Sequence, residues 1–429
     1  MRSLLAAAYE VAARLALAAA EVAPLGRSKL GRTLRARRGL ANRYRAWGHA
    51  HRDLARPLLW MHAPSVGEGL QARPVLERIR DTRPDVQLAY THFSPSAEAF
   101  AARLNVDFRD YLPFDATSAT RIALDALQPT ALVFSKVDVW PTLTREARAR
   151  SVRLGLISAT LAARSSRRRG LASVVLRDAY ARLDAVGAID AADAERLAGL
   201  GVRQEVIEVT GDTRYDQVWA RAAAVQRTSE LLGPLGSTRP TLVAGSTWPA
   251  DERVLLAAWT MVRRSVPDAR LIIAAHEPTA AHLAPLERWA EDAGLAHARL
   301  GTAAASTADV VVVDRVGVLG DLYALASVAY VGGGFHAAGL HSVVEPAAFG
   351  APVMFGPRWQ MSRDAALLLR ADGALAVSSS REMADGLRAW LATASARQSA
   401  GDRARAVVRS GLGAADRTVA LVARLLERG

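Results

Sequence analysis

Short apolar runs alternating with amphipathic stretches of helical length restrict the architecture of this chain more than any other feature. In the first half the runs cover 58–62, 86–91, 131–134, 153–157, 185–189 and 206–209, with helical patterns between them such as 67–81 and 191–200. Strands and helices of these lengths, taken in turn, read as parallel βαβ units. Glycine and proline cluster at 228–239, after which the rhythm restarts at 241–244, 270–274, 310–313, 328–331, 352–355 and 375–377. The pattern predicts an α/β protein with two Rossmann-like domains, 57–225 and 226–412, facing a cleft. A last helix, 413–429, is expected to cross back to the first domain.

With 429 residues, the chain is long enough for two substantial cores, and a 51% hydrophobic content excludes a disordered protein. The absence of cysteine rules out disulfides, thiolate catalysis and cysteine-ligated zinc. The net charge of +13 is carried almost wholly by arginine, since Lys29 and Lys136 are the only lysines. Residues 27–56 hold ten basic side chains against the single acid Asp53. Before them, 4–25 is rich in alanine and leucine but interrupted by Glu10, Arg14 and Glu21. Those charges make a poor free-standing membrane span, and no secretory cleavage site follows. An apolar helix followed by a polybasic stretch, together 1–56, suits a surface anchor on an anionic leaflet, each arginine contributing about 1 kcal/mol. The other reading is a helix packed on its own domain. No RNA-binding signature or stacking platform accompanies the charge, so nucleic acid is not an expected partner.

Most of the chemistry-bearing residues follow the predicted strands. After the run 328–331 come Gly332, Gly333 and Gly334, and then His341-Ser342-Val343-Val344-Glu345-Pro346. A strand that ends in glycines and yields to a helix start offers backbone N–H groups and the positive end of a peptide dipole to a phosphate. Glu345, one turn on, can accept hydrogen bonds from ribose hydroxyls; an ordinary strand-to-helix turn is the plainer alternative. In the first half Ser65, Gly67 and Glu68 open a helix after the first strand. Ser65 and Glu68 either close a capping box or place Glu68 as a general base at the strand's end. Lys136 and Asp138 follow a buried strand beside Trp140-Pro141, either as site residues or as a structural ion pair. His92 and Ser94 occupy the equivalent position after another strand, and Arg214 lies in Gly211-Asp212-Thr213-Arg214. In the second half, Gly245, Ser246 and Thr247 form a small-residue turn able to approach a phosphate closely. Ala275 and His276 follow the next strand, and the backbone of Gly317, Val318 and Leu319 is placed to read a base edge. The histidines at 49, 51, 276, 336 and 341 show no metal-ligand spacing. No Walker A, nucleophile elbow or GxGxxG sequence is present.

In this order the segments 62–68, 111–115, 138–141, 211–216, 245–247, 317–319, 341–346 and Phe355-Gly356-Pro357 resemble the 3-deoxy-D-manno-octulosonic acid (Kdo) transferases. These are membrane-associated glycosyltransferases of lipopolysaccharide synthesis. The resemblance runs from the N-terminal segment to about Gly373. It implies a two-domain GT-B fold and inverting transfer of Kdo from CMP-Kdo to a lipid A precursor such as lipid IVA. It also implies no bound cofactor or metal, and a place on the cytoplasmic face of the inner membrane, held by its anionic surface. Glu68 matches the family's general base. Ala275-His276, Gly317 to Leu319 and Ser342 to Glu345 match its CMP-contacting segments, and Arg214 stands where a lysine usually supports the leaving anion. Ser65, Gly67, His92 and Ser94 are expected on the acceptor side. Lys136 reverses the sign of the family's usual glutamate, and its charge suggests a pair with the sugar carboxylate. Ser342 replaces asparagine, Ala274-Ala275 replaces Pro-Arg, and Thr160 stands where arginine is common. The rival readings are another GT-B nucleotide-sugar enzyme, such as an epimerase, and an inactive relative that binds lipid.

Overall fold

The computed structural model describes residues 2–22, 29–162, 165–168 and 170–427. The chain folds as two units, one built from Met1–Gln217 with Leu412–Gly429 and the other from Val218–Gly411. In the first, β1 (Leu58–His62), β2 (Gln87–His92), β3 (Phe108–Tyr111), β4 (Ala131–Ser135), β5 (Arg153–Ala159), β6 (Ala185–Ala188) and β7 (Ile207–Val209) form one parallel sheet. Their order is β3-β2-β1-β4-β5-β6-β7. Side chains alternate between two cores. Leu58, Trp60, Leu132 and Phe134 enter one, while Leu59, Met61, Ala131 and Val133 enter the other. Both faces of β1 and β4 are therefore dry, which is why their sequences run apolar without a break.

The second unit repeats the plan with β8 (Thr241–Thr247), β9 (Arg270–Ala275), β10 (His297–Arg299), β11 (Val310–Val313), β12 (Val328–Val331), β13 (Val353–Phe355) and β14 (Ala374–Ala376). These strands are parallel in the order β10-β11-β9-β8-β12-β13-β14. Two strands that the apolar runs did not mark, β3 and β10, lie at sheet edges. An edge strand meets solvent along one side and tolerates residues such as Arg109, Asp110 and His297.

The helix Ala414–Leu426 belongs to the first unit, where Leu421, Val422, Leu425 and Leu426 are buried against the same core as Leu59 and Met61. Asp216 fixes its start by accepting hydrogen bonds from the N–H groups of Gly413 and Ala415, both at 2.8 Å. The chain leaves the first unit after Gln217, ahead of the boundary expected at 225, because a helix that begins at Arg214 carries it across.

The N-terminal helix Arg2–Val22 docks on the first unit by polar side chains. The Tyr9 hydroxyl donates to Asp115 at 2.9 Å, and Glu10 accepts from the Thr117 hydroxyl at 2.8 Å. Val11 and Leu15 point outward, 56% and 66% exposed. Among the described residues no helix is long and apolar enough to cross a membrane. Residues 23–28, with Arg27 of the basic block, lie outside the described residues. Much of that block builds the fold. Arg37 is buried over the rings of Phe93 and Phe114 and donates to the Leu112 carbonyl at 2.8 Å. Arg43 pairs with Asp110, and Arg52 and Arg56 donate to backbone carbonyls. The outward charge is thus smaller than the sequence count.

Candidate active site

Loops part where the strand order of an open parallel sheet reverses, leaving a crevice at the carboxyl ends of the strands. In the first unit that point lies between β1 and β4. Glu68 follows β1 in the first turn of the helix Val66–Thr82. Lys136 follows β4 in a left-handed conformation, φ 72°, with its N–H on the Ile157 carbonyl at 2.8 Å. This turn brings its ammonium to 3.0 Å from Glu68 Oε1. The Ser65 hydroxyl donates to the other carboxylate oxygen. Ser65 makes no side-chain bond to the helix backbone, so the pair is not a capping box. Burial alone would raise the carboxyl of Glu68, but Ser65 and Lys136 outweigh it and hold it below the usual carboxylate range. Glu68 is ionised at neutral pH.

Other expected residues meet different partners. Lys136, predicted to face a sugar carboxylate, pairs with Glu68. Asp138 carries the guanidinium of Arg167. Burial nevertheless raises its carboxyl, and the nearby charge of Glu68 adds to the rise. Arg214 grips Asp212, with Nη2 at 2.6 Å and Nε at 2.9 Å from Oδ2. Its charge is already balanced by a carboxylate 1% exposed, so it is not an uncommitted cation beside a leaving group. His92 is a correction of the acceptor-side expectation. Its ring is buried edge-on against Tyr111 at 4.2 Å, because β2 lies inside the sheet and turns that side chain into the core. Gly67 is exposed and Ser94 half-buried, the latter with its hydroxyl 2.8 Å from that of Ser96.

In the second unit the order reverses between β8 and β12. Gly245, Ser246 and Thr247 end β8 in a bulge, where Ser246 has φ 54° and the register to β9 shifts. Gly332, at the end of β12, packs so closely there that a Cβ would lie 2.2 Å from the Ser246 carbonyl oxygen. Trp248 comes next, stacked between His276 at 4.5 Å and His336 at 4.1 Å. Its indole N–H donates to Nε2 of His341 at 3.2 Å, and the His341 ring lies 4.6 Å from that of His276. Burial, then the His276 charge, pushes the His341 imidazole down, so it is neutral and accepts that bond.

Asp251, fully buried, organises these loops. It accepts from the N–H groups of Trp248 at 3.0 Å, Gly333 at 2.8 Å and Phe335 at 3.1 Å, and from the Tyr330 hydroxyl at 2.9 Å. Gly332 and Gly333 therefore do not hold their N–H groups open for a phosphate, as the sequence suggested, since Gly332 donates to the Gly245 carbonyl at 2.9 Å and Gly333 to Asp251. The following helix, Val344–Ala348, starts three residues beyond His341 and has only five residues, too short for a strong dipole. Val343 and Val344 bury their side chains, leaving main chain and exposed Ser342 as the accessible surface. Thr247 is buried and donates to Glu252 at 2.7 Å, so its hydroxyl does not face a ligand. Leu319 and the Tyr323 hydroxyl fill the space that the missing side chain of Gly245 leaves, which joins the loop around Gly317 and Val318 to the end of β8. The negative charge of Glu345 adds to the burial that raises the Tyr323 hydroxyl, placing the carboxylate in the same neighbourhood. Ala275 is buried behind His276, whose N–H is held by the Thr247 carbonyl at 2.9 Å. Among the described residues no group of three His, Asp or Glu side chains can hold a metal ion.

Residues 32–217 match the family model of the 3-deoxy-D-manno-octulosonic-acid transferase (kdotransferase). A Bordetella pertussis 3-deoxy-D-manno-octulosonic acid transferase is 31% identical over 387 residues, which are 87% of this chain and 89% of the relative. The chain belongs to the Kdo transferase family. The Haemophilus influenzae Kdo transferase is 25% identical over 408 residues, 92% of this chain and 93% of that protein. Kdo transferases are glycosyltransferases, and two Rossmann-like units in one chain give the GT-B fold. The Neisseria meningitidis UDP-GlcNAc 2-epimerase has that fold too, with a TM-score of 0.62 at 12% identity, covering 86% of this chain and all of the epimerase (100%).

As a Kdo transferase the chain holds, at the reversal point of its second unit, residues that sequence reading passed over. Trp248 and Asp251 lie just past the Gly245 turn, and Pro249 at the first helical position was a legible sign of a helix start there. His336 left no such sign. Its place in the stack depends on the fold of the loop after β12.

Proposed function

We propose that this Kdo transferase family member moves Kdo from CMP-Kdo to a phosphorylated lipid A precursor such as lipid IVA, with inversion at the anomeric carbon. The observation that carries the reading is the ionised Glu68 carboxylate, fixed by Ser65 and Lys136 at the reversal point of the first sheet. Glu68 takes the proton of the attacking sugar hydroxyl. That oxygen forms the new bond to the anomeric carbon while the bond to the CMP phosphate breaks and CMP leaves with the electron pair. CMP departs as an anion, so its loss needs electrostatic support more than a proton. The second unit binds it. Main chain at Ser342 to Val344 meets the phosphate, Glu345 the ribose, and the backbone of Gly317 to Leu319 the base. Trp248 and His276 hold this platform rigid. No bound cofactor takes part.

The N-terminal helix and the outward arginines rest the enzyme on the cytoplasmic face of the inner membrane, with Val11 and Leu15 toward the lipid. Incubation with CMP-Kdo and lipid IVA, read by product mass, tests the reading. Glu68→Gln should fold normally and lose transfer by a factor on the order of 100 to 10,000. Retained transfer reassigns the base. Because the fold is shared with nucleotide-sugar epimerases, turnover of UDP-sugars in place of CMP-Kdo would overturn the donor assignment.

A further inference from the structure

Two pockets of the first unit share one wall and have opposite chemistry. One, of about 680 Å³, is lined by Tyr9, Phe93, Val137, Trp140, Val175 and Leu176, with the Asp138–Arg167 pair at the same site. The other, of about 730 Å³, is lined by Arg32, Arg35 and Arg43 and by the hydroxyl-bearing Ser94 and Ser96, with the acids Glu98 and Asp110. Both volumes lie in the roughly 300–1,000 Å³ range of small-molecule sites. The dividing wall is the loop after β2, where Phe93 lines the apolar pocket and the next residue, Ser94, the basic one. Phe93 is held in place, stacked on Trp140 at 5.2 Å and covered by the buried Arg37 guanidinium at 4.1 Å.

Charge decides what the basic pocket takes. Asp110 is matched by Arg43 at 2.7 Å, and Glu98 accepts from the Tyr111 hydroxyl at 3.0 Å. Arg32 and Arg35 lie three residues apart on the helix Lys29–Arg35, and with Arg43 they outnumber the two acids of the lining. An apolar cavity alone suits many greasy ligands, and two arginines suit many anions. Side by side across one loop, they suit a molecule with a hydrocarbon chain and a phosphate close together. The apolar pocket also borders the reacting groups, since Pro64 in its wall precedes Ser65, and Asp138 lies two residues past Lys136.

We infer that the two pockets receive one amphiphile, the acyl-sugar phosphate that accepts the transferred residue. An acyl chain enters the Trp140 pocket and a phosphate lies against Arg32 and Arg35. The inference rests on the proposed reading of the acceptor as a lipid-linked sugar and assigns two of its parts to named residues. Each methylene taken up by the pocket strengthens binding roughly fourfold.

Val175→Trp, from the helix Gly170–Ala181, fills the apolar pocket without touching Glu68. The full-length variant is compared on tetra-acylated acceptor and on the deacylated disaccharide bisphosphate. KM for the acylated acceptor should rise about tenfold or more, while KM for CMP-Kdo and for the deacylated acceptor stays within about twofold. A rise shared by both acceptors, or none, overturns the assignment. A second readout does not need turnover. An acceptor brominated on its acyl chain should quench the Trp140 fluorescence, measured as the difference between wild type and Trp140→Phe, and millimolar inorganic phosphate should not relieve it. Equal quenching by brominated phosphatidylglycerol vesicles would make the pocket a general lipid site and overturn the proposal. If wild type transfers to neither acceptor, the functional reading fails, and presence or absence of quenching alone decides the pocket.

Discussion

The contact between Lys136 Nζ and Glu68 Oε1, 3.0 Å long, is the residue-scale feature with the clearest chemical consequence. An ammonium so placed keeps the carboxylate charged but makes it a weaker base. Since Lys136 is 41% exposed, the pair contributes roughly 1 kcal/mol or less to stability and acts mainly on proton affinity. Lys136→Met should therefore leave the fold intact and raise the Glu68 carboxyl toward its ordinary value. The acid limb of the pH profile of kcat/KM should move to higher pH; an unmoved limb would separate Glu68 from the titration that governs rate. Two buried histidines set a second pH dependence. Burial pushes His62 down to about 3, with the His92 charge adding to it, and pushes His92 down to about 4, with Arg37 adding. Both rings stay neutral in the folded chain but gain a proton near pH 6.5 when unfolded. Stability is full above that pH and falls as pH drops toward those depressed values, by about 2 kcal/mol per ring between pH 7 and 5. His92→Gln should flatten the fall in Tm over that interval; an unchanged slope would mean the ring is solvated.

At the scale of elements, the ends of β8 and β12 approach closely at the reversal point of the second sheet, where the proposed donor site lies. Gly332 sits where a Cβ would meet the Ser246 carbonyl oxygen at 2.2 Å and the Thr247 Cα at 2.7 Å, both backbone atoms that cannot rotate aside. Gly332→Ala should force the two strand ends apart and cost about 1–3 kcal/mol. Calorimetry should show lower thermal stability together with weaker CMP binding, and a variant that binds CMP as tightly as wild type would place the nucleotide elsewhere. Asp251 works in the same region with its four hydrogen bonds, tying the start of the helix Pro249–Arg263 to the turn after β12. The element that a sequence reader takes for a phosphate cradle is thus mostly a carboxylate cradle.

For the whole molecule, the distribution of charge matters more than its sum. Of the net +13, a large share lies between 27 and 56, and there Arg37 is buried, Arg43 pairs with Asp110, and Arg52 and Arg56 donate to backbone carbonyls of the first unit. The membrane contact proposed above would rest on the remaining arginines and on exposed Val11 and Leu15. Val11→Glu with Leu15→Glu should weaken binding to anionic vesicles by about tenfold or more, leaving binding of CMP unchanged. Vesicle sedimentation at low and moderate salt measures both parts, since the electrostatic share is screened over about 8–10 Å. Equal sedimentation of variant and wild type would remove the helix from the membrane contact.

Much of this fold was legible because periodicity records burial. Strands dry on both faces, such as β1, β4, β8 and β12, leave apolar runs that mark them and the loops that follow. At the edge strands β3 and β10, where charged residues and histidine stand toward solvent, the record is lost, whereas the apolar residues of the edge strands β7 and β14 kept it. Partnership was never in the sequence. Glu68 and Lys136 are 68 residues apart and meet only because β1 and β4 are neighbours in the sheet. Arg214 was visible as a cation but not as Asp212's partner, and His92 as a loop residue but not as a core ring. The order of residues thus determined which segments would be strands and helices, since that depends on local patterning. Which side chains share charge, and which face an opening, was decided by strand order and packing, since those distances are set by the closed tertiary structure and not by spacing along the chain.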